Sequence, residues 1–197
     1  CVRKVASDQR AELDLSHWIM AGNGSEPVQH GTLKRFSEAF EECGFDRRAF
    51  APAYGLAEAT LVVTATSPDD GPVFLSVFSR ELERHRVVES AEEGAGVRTL
   101  TGSGKTNLST RVIVVDPETC MECSANVVGE IWVSGPTVTR GYWQREELTD
   151  QVFSARLSDS GEGPFLRTGD LGFIKDGQLF VTGRMKDLII IDGANHY

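Results

Sequence analysis

Four side chains at glycine-rich breaks of this 197-residue sequence are of types that can hold parts of a charged, planar ligand. Tyr54 ends the apolar run Phe50–Tyr54 just before Gly55, and a tyrosine at a strand end offers a flat face to a purine. Glu58, a few residues on, can hold Mg²⁺, a hard ion that prefers carboxylate and phosphate oxygens. Asp170, with Gly169 and Gly172 around it, can accept hydrogen bonds from both hydroxyls of a ribose. Arg184 follows Gly183 and can reach ribose or phosphate. A further break, Asn23-Gly24-Ser25-Glu26-Pro27, is one where a ligand can approach the backbone closely. Each residue also has an ordinary structural role: a core tyrosine, a helix-start carboxylate, a turn aspartate, a surface ion pair of little energetic value. Their occurrence together, in this order, is more specific than any one of them.

Two other stretches invite chemistry that their surroundings do not support. Thr101-Gly102-Ser103-Gly104-Lys105-Thr106 looks like a phosphate loop, but that loop needs a glycine five residues before the Gly-Lys pair, and Thr99 stands there. Glu92–Val97 is a poor strand to precede such a loop and no clear helix follows it. The segment therefore reads as a flexible connection into a strand at Arg111–Val115. Cys120-Met121-Glu122-Cys123 is a lone pair of cysteines, whereas a structural zinc site takes about four ligands. A turn between two strands is the favoured reading.

The elements that must position these residues change character along the chain. Leu15–Ala21 reads as a short buried strand, followed by a helix with Leu33, Phe36 and Phe40 at helical spacing and Gly44 as its stop. Phe50–Tyr54 reads as a second strand, and Leu56–Val63 as the beginning of a helix. This alternation is that of an α/β layer. After the turn cluster at Ser67-Pro68-Asp69-Asp70-Gly71-Pro72 the apolar runs become short and β-branched. They fall at Val73–Phe78, Arg111–Val115, Gly129–Val133, Phe165–Thr168, Leu171–Lys175, Gln178–Thr182 and Leu188–Ile191, with helical interruptions at Glu81–Arg86 and Arg145–Phe153. Asp176-Gly177 is a two-residue hairpin signal. The expected organisation is an α/β part over 1–67, a β-rich part over 68–183, and a short terminal segment over 184–197.

Composition is that of a globular protein, 40% hydrophobic and 25% charged. A net charge of −9 speaks against non-specific nucleic-acid binding. The apolar runs are too short to span a bilayer, no signal peptide is visible, and the cysteine spacing fits a reduced, cytoplasmic setting rather than a disulfide framework.

Tyr54-Gly55-Leu56-Ala57-Glu58, Arg167-Thr168-Gly169-Asp170 and Gly183-Arg184-Met185-Lys186-Asp187 resemble, in identity and order, motifs of the adenylate-forming superfamily of acyl-CoA synthetases, peptide-synthetase adenylation domains and luciferases. The resemblance covers nearly the whole chain. It implies the end of an α/β layered subdomain followed by a small distorted β-barrel. It also implies that Gly24, Ser25, Glu26, Tyr54, Gly55, Asp170 and Arg184 contact ATP, with Tyr54 stacking on adenine and Asp170 holding the ribose. Glu58 and Arg184 would carry the catalysis, Glu58 would bind Mg²⁺, and Lys186 would be the hinge of a small C-terminal domain. Many relatives have Thr where this sequence has Ala57, so one hydroxyl contact to phosphate is missing.

Asn23-Gly24-Ser25-Glu26-Pro27-Val28, Leu56-Ala57-Glu58-Ala59-Thr60 and the ending Ile190–Tyr197 look like the fatty acyl-AMP ligase branch, although Ala194 stands where a basic residue is expected. That branch passes the acyl group to the phosphopantetheine of an acyl carrier protein rather than to free coenzyme A. It carries an extra segment thought to restrict the C-terminal domain, for which 71–94 is the candidate; otherwise 71–94 is a surface insertion, which chain entropy tolerates. The resemblance further implies a fatty-acid substrate, a Ser/Thr/Gly-rich phosphate loop before Cys1 and an adenylation lysine after Tyr197, so that this piece is expected to be inactive alone. The alternatives are an acyl-CoA synthetase and a non-catalytic module that binds a carrier protein or synthase.

Overall fold

The computed structural model describes residues 1–92, 94–106, 109–191 and 194–196. Asp192, Gly193 and Tyr197 of the family-like ending, and Glu93 of the 71–94 segment, lie outside the described residues. After a short helix α1 (Ser7–Arg10), strand β1 (Ala21–Asn23) leads to helix α2 (His30–Phe40) and strand β2 (Phe50–Tyr54). Strand β3 (Thr64–Ala65), strand β4 (Phe74–Phe78), helix α3 (Ser79–Leu82), strands β5 (Val97–Thr101), β6 (Lys105–Thr106), β7 (Arg111–Val115) and β8 (Gly129–Ser134) follow. Helix α4 (Glu146–Phe153), strands β9 (Leu166–Lys175) and β10 (Gln178–Arg184), and the hairpin β11 (Ile189–Ile191) and β12 (Ala194–His196) complete the order.

Two four-stranded sheets organise the chain. One runs β1-β2-β3-β6, with β1 parallel to β2 and the other pairs antiparallel; the other is an antiparallel meander in the order β10-β9-β8-β7. This is the mixed α/β fold expected. Among the described residues the β-rich sheet stays open rather than closing into a barrel, and β4 and β5 form a separate two-stranded antiparallel sheet.

Helix α2 sits where the apolar spacing put it. Leu33 and Phe40 are buried, Phe36 packs on Phe40, Phe45 and Phe50, and Gly44, at φ 82°, turns the chain after a short 3-10 turn. The buried strand expected over Leu15–Ala21 is not formed: residues 16–20 are exposed and outside any strand, and the pairing with β2 runs over Ala21–Asn23, into the glycine break where the strand was expected to end. The helix expected from Leu56 is a single 3-10 turn at Ala57–Ala59. Thr60 and Leu61 then take positive φ, and the Val63 amide donates back to the Tyr54 carbonyl, folding the chain into β3. The β-branched Thr60, Val62, Val63 and Thr64 also lower the helix propensity of this stretch. The two runs expected at Phe165–Thr168 and Leu171–Lys175 are one strand, because a bulge absorbs the glycine. Between Glu130 and Trp132 on β8, the β9 register moves from Leu171 to Arg167, and Gly169 takes φ 70°. Asp176 and Gly177 both have positive φ, as the hairpin signal requires.

The phosphate-loop lookalike is neither a nucleotide loop nor a flexible connection. Strand β5 ends on its first residue and strand β6 is made of its last two, so among the described residues no helix is there to present its amino terminus. The Ser103 amide donates to Leu179 O at 2.7 Å and the Leu179 amide to Gly104 O at 3.0 Å, while Lys105 and Thr106 pair with Ala65 and Thr64. The segment thus staples β10 of one sheet to β3 of the other. Cys120–Cys123 closes a turn, with the Cys120 amide on Asp116 O at 2.9 Å and the Asp116 amide on Met121 O at 2.9 Å.

Gly104 is fixed by this staple: its φ is 83°, and a Cβ there would lie 1.9 Å from the Ala65 carbonyl carbon. Gly102, with nothing nearer than 3.4 Å and no positive φ, is free of both constraints. Gly104→Ala is expected to cost about 3 kcal/mol or more, from left-handed backbone and overpacking together. Gly102→Ala should cost under about 1 kcal/mol. Urea unfolding midpoints of the two variants check the contrast.

Candidate active site

The staple brings the end of β2 against the bulged strands β9 and β10, and the residues singled out from sequence meet at that junction. Tyr54 ends β2; its hydroxyl donates to Asp170 Oδ2 at 2.7 Å. Arg184, at the end of β10, donates from Nε to Asp170 Oδ1 at 2.9 Å. Asp170 lies on the bulge and is 6% exposed, so its carboxylate is a nearly buried anion held from two sides. Burial, then the facing Asp170 charge, pushes the Tyr54 phenol far above its ordinary range, which keeps its proton in place for that hydrogen bond.

The bulge is itself anchored. Glu130, 2% exposed, accepts from Arg167 Nη2 at 2.7 Å, from Trp132 Nε1 at 2.9 Å and from the Gly169 amide at 3.2 Å. The Arg167 guanidinium also lies 5.5 Å from the Trp132 ring centroid. A carboxylate on β8 therefore satisfies the amide that the bulge frees, one residue before Asp170.

Two cavities open around this cluster. The first, about 260 Å³, is lined by Ser25, Glu26, Tyr54, Gly55, Asp170 and Arg184, and by Arg98, Thr99, Leu100 and Thr101 of β5. The second, about 470 Å³, is lined by Glu58, Tyr142, Arg167, Arg184 and Lys186 among others. Arg184 lies in both walls. The sequence-nominated residues are thus divided between adjoining spaces joined at one guanidinium. Gly24 lines neither; it sits just past β1, where a Cβ would come 3.2 Å from Ala53 O. Gly55 lines the first cavity, but a Cβ there would overlap Leu61 O at 1.4 Å, so packing alone demands the glycine. Lys186 is exposed on the 3-10 turn Met185–Asp187 that follows β10. A larger cavity, about 800 Å³, lies elsewhere, between α2 and the 45–50 and 70–74 segments, and is lined by opposed charges such as Lys34, Glu38 and Arg48.

Sequence reasoning missed the β5 wall and Tyr142. Thr101 is 7% exposed and its Oγ1 has no hydrogen-bond partner among the described residues, yet nothing local marked Val97–Thr101 as a cavity wall. Tyr142 donates to Glu58 Oε1 at 2.6 Å, and burial followed by that carboxylate raises its phenol to about 12. The donor set fits a nucleotide: an aromatic ring, a doubly held carboxylate, an unpaired hydroxyl and a shared guanidinium. For a metal, no group of three or more His, Cys, Asp or Glu among the described residues could form a cage. A single carboxylate such as Glu58 fits Mg²⁺ that arrives with phosphate oxygens and water.

A family model described as AMP-binding enzyme matches residues 2–143. The chain belongs to the AMP-binding enzyme family. Along its full length this AMP-binding chain is 49% identical to a medium-chain-fatty-acid–[acyl-carrier-protein] ligase, JamA, of Moorena producens, covering 34% of that protein. It is 42% identical to the long-chain-fatty-acid–AMP ligase FadD26 of Mycobacterium tuberculosis, again over all of the chain and 34% of the relative. The chain thus spans about a third of the length of these relatives. Its fold is similar to a fatty acyl-adenylate ligase from Legionella pneumophila solved with acyl adenylate and pyrophosphate, with a TM-score of 0.88, 41% identity and 95% of this chain on 32% of that one. No helix of the described residues is long and apolar enough to cross a membrane.

Glu130→Ala leaves Arg167, Trp132 Nε1 and the Gly169 amide without their acceptor. It is expected to cost about 3 kcal/mol, the lower end for a broken buried pair because Arg167 is partly exposed. Chemical denaturation of the variant against the parent chain measures it.

Proposed function

We propose that the AMP-binding chain is the nucleotide-binding part of a ligase that activates a fatty-acid carboxylate with ATP and passes the acyl group to a carrier protein. The observation that carries this reading is the Tyr54–Asp170–Arg184 cluster between two cavities. In this reading the first cavity takes the nucleoside, with Ser25 and Glu26 on its rim, Tyr54 against the base and Asp170 toward the ribose. The second cavity takes the phosphates, with Glu58 for Mg²⁺. The carboxylate of the fatty acid attacks the α-phosphate, the bond to the β-phosphate breaks, and pyrophosphate leaves an acyl-adenylate. Such a transfer depends on positioning and on charge placed where charge develops, and Arg184 and Asp170 are already held in one geometry for it. The names of JamA and FadD26 support the fatty acid, and that of JamA the carrier protein. The free cysteines favour a cytoplasmic setting.

The division at 67 and at 183, the Lys186 hinge and the role of 71–94 belong to the same proposal. Two features support a restraint of the terminal segment by 71–94. Asn195 donates from its amide and from Nδ2 to Glu83 O, at 3.0 and 2.8 Å, and Leu188 packs on the cluster that holds Val77 and Leu82.

The full-length protein, given ATP, a fatty acid and either holo carrier protein or coenzyme A, is expected to load the carrier protein and to form little coenzyme A thioester. Efficient thioester formation with free coenzyme A would select the acyl-CoA synthetase reading instead. Glu58→Ala should abolish ATP-dependent pyrophosphate release, and undiminished release would remove Glu58 from the site. Asn195→Ala in the same protein should speed hydrogen exchange over 189–196 and raise coenzyme A turnover; unchanged exchange would dismiss the restraint.

A further inference from the structure

Glu58 does not stand alone in its cavity wall. The Tyr142 hydroxyl donates to its Oε1 at 2.6 Å, and that tyrosine comes from the loop between β8 and α4, remote in sequence. The loop is fitted to α4 in several ways. The Tyr142 amide donates to Thr149 Oγ1 at 2.9 Å, and the Tyr142 ring meets Phe153 edge-on at 5.2 Å. Gly141 has φ 138°, and a Cβ on it would lie 2.2 Å from Thr149 Cγ2, so the close approach requires glycine. The same loop grips the main chain beside Glu58: the Thr139 amide donates to Glu58 O at 2.8 Å, and Thr60 Oγ1 donates to Thr137 O at 2.6 Å. Both the backbone and the carboxyl group of Glu58 are therefore oriented from outside its own turn.

We propose that Tyr142 is a positioning residue that occupies one oxygen of the Glu58 carboxylate and so restricts this residue to single-oxygen coordination of a divalent cation. The inference rests on the reading of Glu58 as the cation-binding residue. With Oε1 engaged by the phenol, only Oε2 is fully available in a wall shared with Arg184 and Lys186. Mg²⁺ is small, takes near-ideal octahedral geometry, retains water and accepts single-oxygen carboxylates together with substrate phosphates. Ca²⁺ takes larger, looser shells and commonly binds a carboxylate by both oxygens. The phenol thus selects for Mg²⁺ against Ca²⁺ without touching either ion, as partners of ligating groups do when they fix a ligand's orientation.

The test is cation binding rather than turnover. Full-length protein is saturated with the α,β-methylene analogue of ATP, Mn²⁺ binding is followed by electron paramagnetic resonance, and Mg²⁺ or Ca²⁺ is titrated as competitor. Tyr142→Phe removes one hydroxyl and keeps the ring on Phe153. It is expected to weaken Mg²⁺ competition about tenfold, the size of loss typical for such partners, with Ca²⁺ competition unchanged or strengthened because both oxygens of Glu58 become free to it. Thr149→Val, which releases the Tyr142 amide but leaves the phenol, should move the Mg²⁺-to-Ca²⁺ preference the same way by a smaller factor, and it serves if the phenylalanine variant does not fold. An unchanged preference in the folded variants, or an equal loss for both ions, overturns the inference. Glu58→Gln separates the two levels. If it weakens Mg²⁺ binding while Tyr142→Phe does nothing, the role of Tyr142 fails alone. If Glu58→Gln itself leaves Mg²⁺ binding intact, the reading of Glu58 fails and the inference with it.

Discussion

Two sheets made from different stretches of the chain share one short segment. Ser103 and Gly104 exchange main-chain hydrogen bonds with Leu179 of β10, and the next two residues pair with β3. Thr64 adds a buried hydroxyl bond to Ser103 O at 2.7 Å. Without that staple Tyr54 and Asp170 would belong to separate layers, and the contact between them would have to be maintained by side chains alone. Backbone pairing is the better device because it fixes direction as well as distance, and unmade buried main-chain bonds are costly.

Once the sheets are joined, irregularities in β9 and β10 decide where charge ends up. Regular strands would keep alternating their side chains between faces. The bulge at Gly169, and the register shift between Val181 and Gly183 on β10, break the alternation where Asp170 and Arg184 meet. Glu130 makes the distortion tolerable by accepting from the freed Gly169 amide and from Arg167 together. Its burial beside Trp132 would be prohibitive for an unpaired carboxylate, and its partners are what permit it.

The parts of the fold that were legible in sequence are those with local causes. Helical spacing of Leu33, Phe36 and Phe40 gave α2, Asp176-Gly177 gave the β9–β10 turn, and β-branched runs gave β7, β8 and β10 almost residue for residue. What was not legible depends on partners far along the chain. The turn at Ala57–Ala59 is held by Thr139 and Thr137, the one strand at Leu166–Lys175 by Glu130, and the buried path through Gly104 by Leu179 and Ala65. Of the residues nominated for the site, Tyr54, Asp170 and Arg184 come together directly, while Glu58 and Lys186 line the neighbouring space. Tyr142 and the β5 wall were out of reach for the same reason: their significance lies in what they touch, and neither carries a local pattern.

The grip of Asn195 on the 71–94 segment has a different kind of consequence. Both of its donors to that segment's Glu83 end on the main-chain oxygen, and no side chain of residue 83 takes part in them. A contact made to the carbonyl survives any substitution there that preserves the turn after α3. Residue 83 can therefore change in type while the hold on its carbonyl persists, whereas His85, whose ring nitrogen lies 2.9 Å from Asn195 Nδ2, and Val77 and Leu82 beneath Leu188 act through their side chains.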